Sequence, residues 1–233
     1  ALAVPALAAQ GGLTLEQIAT LRSVSQASVS PDGRHVAHVL SVPRTIGTND
    51  DGAAWAELHV ASREGASRGF VTGKVNVSAI AWLPDSRSLL YLAKRQGDET
   101  RVLYRLPVDG GESVVVTRLK SDITAFSLSP DGRRVALLAA EPESDELKAL
   151  KKQGFSQKVY EEDWRPVQLW TADVGSDRGE PRLVALEGSV QSVRWSPAGD
   201  RLALLVARRQ LTDDTLVFTR VRIMSPEGRL LGK

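Results

Sequence analysis

Short alternating and apolar runs, broken by proline-containing polar turns, make up most of the chain. From Ala27 it reads ASVSPDGRHVAHV, and the same grammar returns as IAWLPDSRSLLYL from Ile80, FSLSPDGRRVALL from Phe126 and VRWSPAGDRLALL from Val193. In each copy an alternating run leads in. A proline (Pro31, Pro84, Pro130 or Pro197) then presets φ for a turn, and the Asp and Gly behind it suit turn positions or positive φ. An apolar run such as RVALLAA, SLLYLAK or RLALLVA leads out. Strand, tight turn, strand is the signature of a β-hairpin. Ser86 takes the glycine place in the second copy, and Ala198-Gly199 replaces Asp-Gly in the fourth, so those turns must tolerate the change or differ in type.

Two further strand candidates follow each hairpin: AELHVAS and GFVTG, RVLYRLPVDGG and SVVVTRL, VQLWTADVG and PRLVALEG, then LVFTRVRIMSPEG and RLLGK. Four antiparallel strands recurring about every fifty residues are the unit of a β-propeller blade. The pattern therefore predicts an all-β chain, a partial β-propeller of about four four-stranded blades over residues 25–233. Each Pro-Asp-Gly hairpin forms the inner pair, and the fourth blade is expected to be truncated. Residues 11–24 read as a short helix and its connection, with LTLEQIATLR capped by Thr14. The longest gap between turn prolines predicts an insertion over 141–166. Within it Ser144 caps the helix DELKALKKQ, acids fill the first turn, lysines the last, and Gly154 stops it.

The 233 residues are 42% apolar and 25% charged, an ordinary globular balance. The net charge is only +2, and the basic pieces RVLYR, GRR and ARRQ are short and scattered, reading as solvated strand ends. No nucleic-acid partner is expected. The absence of cysteine excludes disulfides and thiolate chemistry. The lead ALAVPALAAQ, residues 1–10, is apolar, uncharged and rich in small residues, like the end of a secretory signal. A periplasmic or secreted location follows, with a disordered apolar lead as the alternative. No apolar run is long enough to span a membrane.

Candidate chemistry is sparse. His35, His38 and His59 fall in the first blade, with His35 and His38 on opposite faces of a strand, and read as structural or surface residues. Trp82 and Trp195 occupy matching places before their turns, and with Trp55 and Trp170 read as packing residues. The oxygen-rich Asn49–Gly52 lacks the spacing of a calcium loop and reads as a polar loop, so no metal ligand is assigned. The one recognition candidate is YEEDWR in the insertion: Tyr160, Glu161, Glu162, Asp163 and Arg165. Its three carboxylates beside aromatics suit a peptide's protonated N-terminus, because charge-assisted hydrogen bonds favour an ammonium. The alternative is a solvated acidic loop balancing Lys148, Lys151, Lys152 and Lys158.

The lead LTLEQIATLRSVSQASVSPDGRHVAHVL resembles the start of the prolyl oligopeptidase family of serine peptidases, near its acylaminoacyl-peptidase and dipeptidyl-peptidase-like bacterial members. KKQGFSQKVYEEDWRPVQLWTADV resembles a segment of exported members, and the likeness covers the chain after residue 12. The resemblance implies a propeller of seven or eight blades over a C-terminal α/β-hydrolase domain bearing a Ser-Asp-His triad. No triad can be assembled here, so no catalytic residue and no cofactor are assigned. The chain is then expected to be the gating and recognition part of a longer peptidase, inactive alone, acting on peptides and leaving room for a homo-oligomer. Tyr160-Glu161-Glu162 looks like the Tyr-Glu-Glu of dipeptidyl peptidases, which holds the substrate's N-terminus. There a Ser-Pro-Asp/Asn-Gly turn follows closely, whereas here Pro197 lies far downstream. The alternative class is a non-catalytic TolB-like periplasmic propeller, a protein-interaction scaffold.

Overall fold

The computed structural model describes residues 12–157, 159, 161–175 and 180–232. Its strands form four antiparallel four-stranded meanders. Blade one holds β1 (Ser23–Val29), β2 (His35–Val42), β3 (Trp55–Ser62) and β4 (Ser67–Val71). Blade two holds β5 (Ser78–Trp82), β6 (Ser88–Ala93), β7 (Val102–Pro107) and β8 (Val114–Thr117). Blade three holds β9 (Ile123–Leu128), β10 (Arg134–Ala140), β11 (Val167–Asp173) and β12 (Arg182–Val184). Blade four holds β13 (Ser189–Trp195), β14 (Leu202–Ala207), β15 (Arg220–Met224) and β16 (Leu230–Gly232). The expected truncation of blade four is corrected: its fourth strand forms. Gly228, at φ 99°, lets Ser225-Pro226-Glu227 turn the chain back, and Ser225 N–H donates to Arg229 O at 2.8 Å.

The Pro-Asp-Gly turns close by a small hydrogen-bond device. In blade one the Ser30 hydroxyl donates to Asp32 Oδ1 (2.6 Å) and accepts from His35 N–H (2.9 Å), while Arg34 N–H donates to the same carboxylate oxygen (3.0 Å). Blade three repeats this with Ser129, Asp131, Arg133 and Arg134. In blade four, where Ala198 lacks a carboxylate, Asp200 takes the Ser196 hydroxyl at 2.8 Å instead. The glycine of these turns sits near φ 70°, a region open to residues without Cβ strain. Ser86 holds the same left-handed conformation at φ 59°, and its hydroxyl repays the strain by accepting Asp32 N–H of blade one at 3.1 Å.

The blades stack face to face, so the inner ones are covered on both faces. That is why β6 (SLLYLA) and β10 (RVALLAA) read as unbroken apolar runs. Leu89 and Tyr91 pack toward Val39 and Leu58 of blade one, whereas Leu90 and Leu92 pack toward Leu137 of blade three. Leu138 and Leu169 then meet Leu204 of blade four. Trp82 and Trp195 fill these layers as expected, and each indole N–H also donates across the interface, to Ser28 O and Ser127 O, at 2.9 Å. The first strand of every blade carries a bulge, with Ser25, Ala79, Thr124 and Gln191 as the extra residues. Bulges raise local twist, which suits strands crowding toward an axis.

The first helix is shorter than expected. α1 (Leu15–Ala19) is held by a capping box between Thr14 and Gln17 and ends where the Thr20 hydroxyl bonds Glu16 O. α2 (Asp145–Lys152) forms as expected, with Ser144 accepting Leu147 N–H and Gly154 at φ 95°. α3 (Thr212–Val217) is a surprise, because the stretch around Leu216-Val217-Phe218 reads as the lead-in to a strand. Its Asp214 is only 2% exposed and accepts Arg209 Nε at 2.6 Å, with Arg208 at 3.7 Å. A buried carboxylate demands such partners, and satisfying it overrides local strand preference. ARRQ does sit at the end of β14 with Arg208 exposed, as expected, and Arg208 and Arg209 also pair with the buried Asp214. Residues 1–10, expected to be a signal remnant, lie outside the described residues.

Ser86→Ala should lower the urea midpoint by the equivalent of about 1 kcal/mol, with an unchanged m value, because the Asp32 N–H loses its cross-blade partner. No loss at all would remove that role from the hydroxyl. A pH dependence also follows. The serine hydroxyls, then the backbone N–H groups of the turns, hold Asp32 and Asp131 below the usual carboxylate range. Their folded values lie under the unfolded ones, so this stabilisation is present above roughly pH 4 and is lost as pH falls through the folded values. Thermal melts should fall more gently between roughly pH 4 and pH 2 for Asp131→Asn than for the unsubstituted chain.

Candidate functional site

Residues 141–166 leave the end of β10, pass through α2 and return to β11. Glu141 N–H closes the base of this insertion on Pro166 O at 2.8 Å. Near its tip, Glu162 and Asp163 N–H both donate to Val159 O (3.1 and 2.8 Å), and Asp163 Oδ2 accepts Val159 N–H at 2.6 Å. This tight turn leaves the Glu161 and Glu162 side chains exposed. Arg165 reaches the other way, donating to Glu141 O at 2.8 Å and facing Glu143 at 3.6 Å. Tyr160 and Lys158 lie outside the described residues.

The predicted cluster therefore divides. Glu161, Glu162 and Asp163 are all exposed, and of these Asp163 also lines, with Arg165, a pocket of about 350 Å³ together with Trp164, Leu147, Lys151 and Gln210. Of the lysines in the alternative reading, Lys148 pairs with Asp145 at 3.1 Å and Lys151 pairs with Glu143. Sequence reasoning missed Glu143 and Gln210. Glu143 precedes a recognisable helix cap and could have been flagged, but Gln210 joins the pocket only through the stacking of blade four on blade three.

A larger cleft, about 760 Å³, runs along the inner strands and the Pro-Asp-Gly turns. Trp82, Phe126 and Leu128 form much of its wall, and Arg194 is the one charged residue among its described lining. No carboxylate or imidazole lines it, so it offers no acid–base pair. The histidines sit elsewhere. His38 stacks on His59 across β2 and β3, with ring centroids 5.5 Å apart, and His59 Nε2 lies 3.0 Å from Glu57 Oε2. Burial, and then the neighbouring His59, push the His38 imidazole below its ordinary value. The loop Asn49–Gly52 wraps an arginine, since Arg44 donates to the carbonyls of Asp50, Asp51 and Ala53 and lies 4.0 Å over Trp55.

Gly-x-Ser-x-Gly occurs once in the chain, as Gly65-Ala66-Ser67-Arg68-Gly69. It is a β-hairpin, not a strand-to-helix elbow: Gly65 turns at φ 90° and Ser67 opens β4 opposite Ala61. Among the described residues no hydrogen bond joins Ser67 to a histidine.

Known proteins share this architecture. The chain is 28% identical over 128 residues to dipeptidyl-peptidase 5 of Porphyromonas endodontalis, a match covering 54% of this chain and 18% of that protein. It is 23% identical over 157 residues to the uncharacterized peptidase YuxL of Bacillus subtilis, covering 67% of this chain and 22% of that one. The chain thus spans about a fifth of the length of these curated relatives. Among solved structures, Pyrococcus horikoshii acylaminoacyl peptidase superposes with a TM-score of 0.65 at 14% identity, over 92% of this chain and 32% of that one. That likeness is one of fold. No helix among the described residues is long and apolar enough to cross a membrane. Residues 11–160 match Gmad1, the lipoprotein LpqB β-propeller domain, and the chain belongs to that family.

Proposed function

We propose that this chain is the propeller part of an exported serine peptidase, where it gates access and holds short peptides for a C-terminal α/β-hydrolase domain carrying the triad. Sequence likeness to two proteins named as peptidases carries this reading. The site supports it in kind. The exposed Glu161 and Glu162 place two carboxylates side by side on a turn whose backbone is already bonded, so they are held out rather than folded back. An ammonium group is the natural complement of such a pair. Beside them the pocket between blades three and four offers a mixed wall for the residues that follow the substrate's N-terminus. The propeller supplies binding and exclusion, and the bond is broken elsewhere.

The test is expression of the full reading frame. The full-length protein should hydrolyse short peptides and lose activity to a serine-directed reagent, while residues 1–233 alone hydrolyse none. A full-length protein that cleaves no peptide sinks the reading. Within an active enzyme, Glu162→Gln should raise KM about tenfold for peptides with a free N-terminus, as expected from losing one charge-assisted hydrogen bond. The same peptides with acetylated N-termini should show no change; an equal rise for both would remove ammonium recognition from Glu162.

A further inference from the structure

The pocket between blades three and four has a feature that neither the peptidase reading nor the acidic turn uses. Gln210 follows the end of β14 and is fixed on both sides, by the Arg209–Asp214 ion pair and by Leu211, which is buried. Its side-chain oxygen accepts two hydrogen bonds, from the Ser189 hydroxyl at 2.5 Å and from Gln191 Nε2 at 2.6 Å. Ser189 is itself 0% exposed, and its oxygen accepts Val167 N–H of blade three at 3.0 Å. The junction of the two blades therefore fixes which way the carboxamide points. With Oε1 taken twice, the Nε2 donors face away from Ser189, and no described residue accepts from them.

The rest of the wall sharpens the chemistry. Glu143 already accepts from Lys151 and faces Arg165, and Asp163 Oδ2 already accepts Val159 N–H. The acidic groups are thus engaged, and an oriented N–H pair is left over. Leu147, Trp164 and Val167 add apolar surface. A volume of about 350 Å³ lies at the small end of ligand pockets, enough for roughly one or two residues of a peptide.

We propose that Gln210 is a specificity-determining residue of this pocket, its carboxamide held by Ser189 and Gln191 so that Nε2 donates to a main-chain carbonyl oxygen of an extended peptide. This rests on the peptidase reading but uses a different group and a different part of the substrate from the acidic turn. Preorganisation by a buried hydroxyl lowers the ordering cost that such a contact otherwise carries.

The informative substitution is Gln210→Glu. A carboxylate keeps an oxygen for Ser189 and Gln191 but turns the pocket-facing donor into an acceptor. In the full-length enzyme KM should rise about tenfold for free and N-acetylated peptides alike, with kcat within about twofold and the melting temperature unchanged. Ser189→Ala, which loosens the same carboxamide, should give a smaller rise of the same kind. Unchanged KM in Gln210→Glu, or a fall in kcat and melting temperature without a KM effect, overturns the proposal. A binding measurement separates this from the peptidase reading: isothermal titration of an alanine tripeptide amide into full-length protein should show binding that Gln210→Glu weakens about tenfold, whether or not the peptide is cleaved. Equal binding by both proteins, or none by the unsubstituted protein, overturns it as well.

Discussion

A serine hydroxyl that bonds a nearby carboxylate inside a proline-entered turn is the interaction on which the rest of this structure depends. In blades one, three and four it fixes where the first strand ends and the second begins, and so sets the register of the inner hairpin; in blade two Leu83 stands in the serine's place and Asp85 accepts Arg87 N–H. Register in turn decides which residues face which neighbouring blade, because a one-residue slip sends every side chain to the other face. With the register fixed, odd and even residues of β10 divide cleanly between two hydrophobic layers, and those of β6 in blade two divide in the same way. The device is chemical rather than positional. Blade four lost the carboxylate at Ala198 and recovered it at Asp200, and the serine still finds its partner.

The turns also join blade to blade. Ser86 accepts an N–H from the turn of blade one, and Arg134 donates to Gly199 O while lying 4.9 Å over Trp195. The indoles of Trp82 and Trp195 make the matching bonds one layer deeper. One end of the stack is thus tied by short, repeated contacts that leave little room for variation. The opposite end, where second strands pass to third strands, has no such repeat. There the connections differ in every blade: a polar loop around Arg44, a short turn near Asp98, the α2 insertion and α3. Variation is concentrated where the scaffold does not need uniformity, which is also where recognition chemistry can be changed without unfolding the blades.

What could be read from the sequence was what local pattern controls. Alternation, turn chemistry and the cap at Ser144 are encoded within a few residues, so strands and α2 emerge close to their observed bounds. The misses share a different cause. α3 depends on Asp214 meeting Arg208 and Arg209 in a buried setting, while Leu216-Val217-Phe218 locally favours a strand. The acidic turn was visible as YEEDWR, yet the pattern did not show that Asp163, exposed like Glu161 and Glu162, is spent on the backbone of its own turn.

The pocket shows why a site of this kind resists sequence reading even when every member is polar. Gln210 is unremarkable in ARRQLTDD, and Ser189 is one serine among many. Their meaning comes from two blades packing so that the Ser189 hydroxyl serves Val167 on one side and Gln210 on the other. Ser189 is held in a water-free setting, where an unmatched hydroxyl would be costly, so its hydrogen bonds are effectively compulsory. The constraint that makes the blades stack is therefore the same one that aims the Gln210 carboxamide into the pocket. In this fold a binding group need not be encoded by a motif, because the interface between two repeats can orient it.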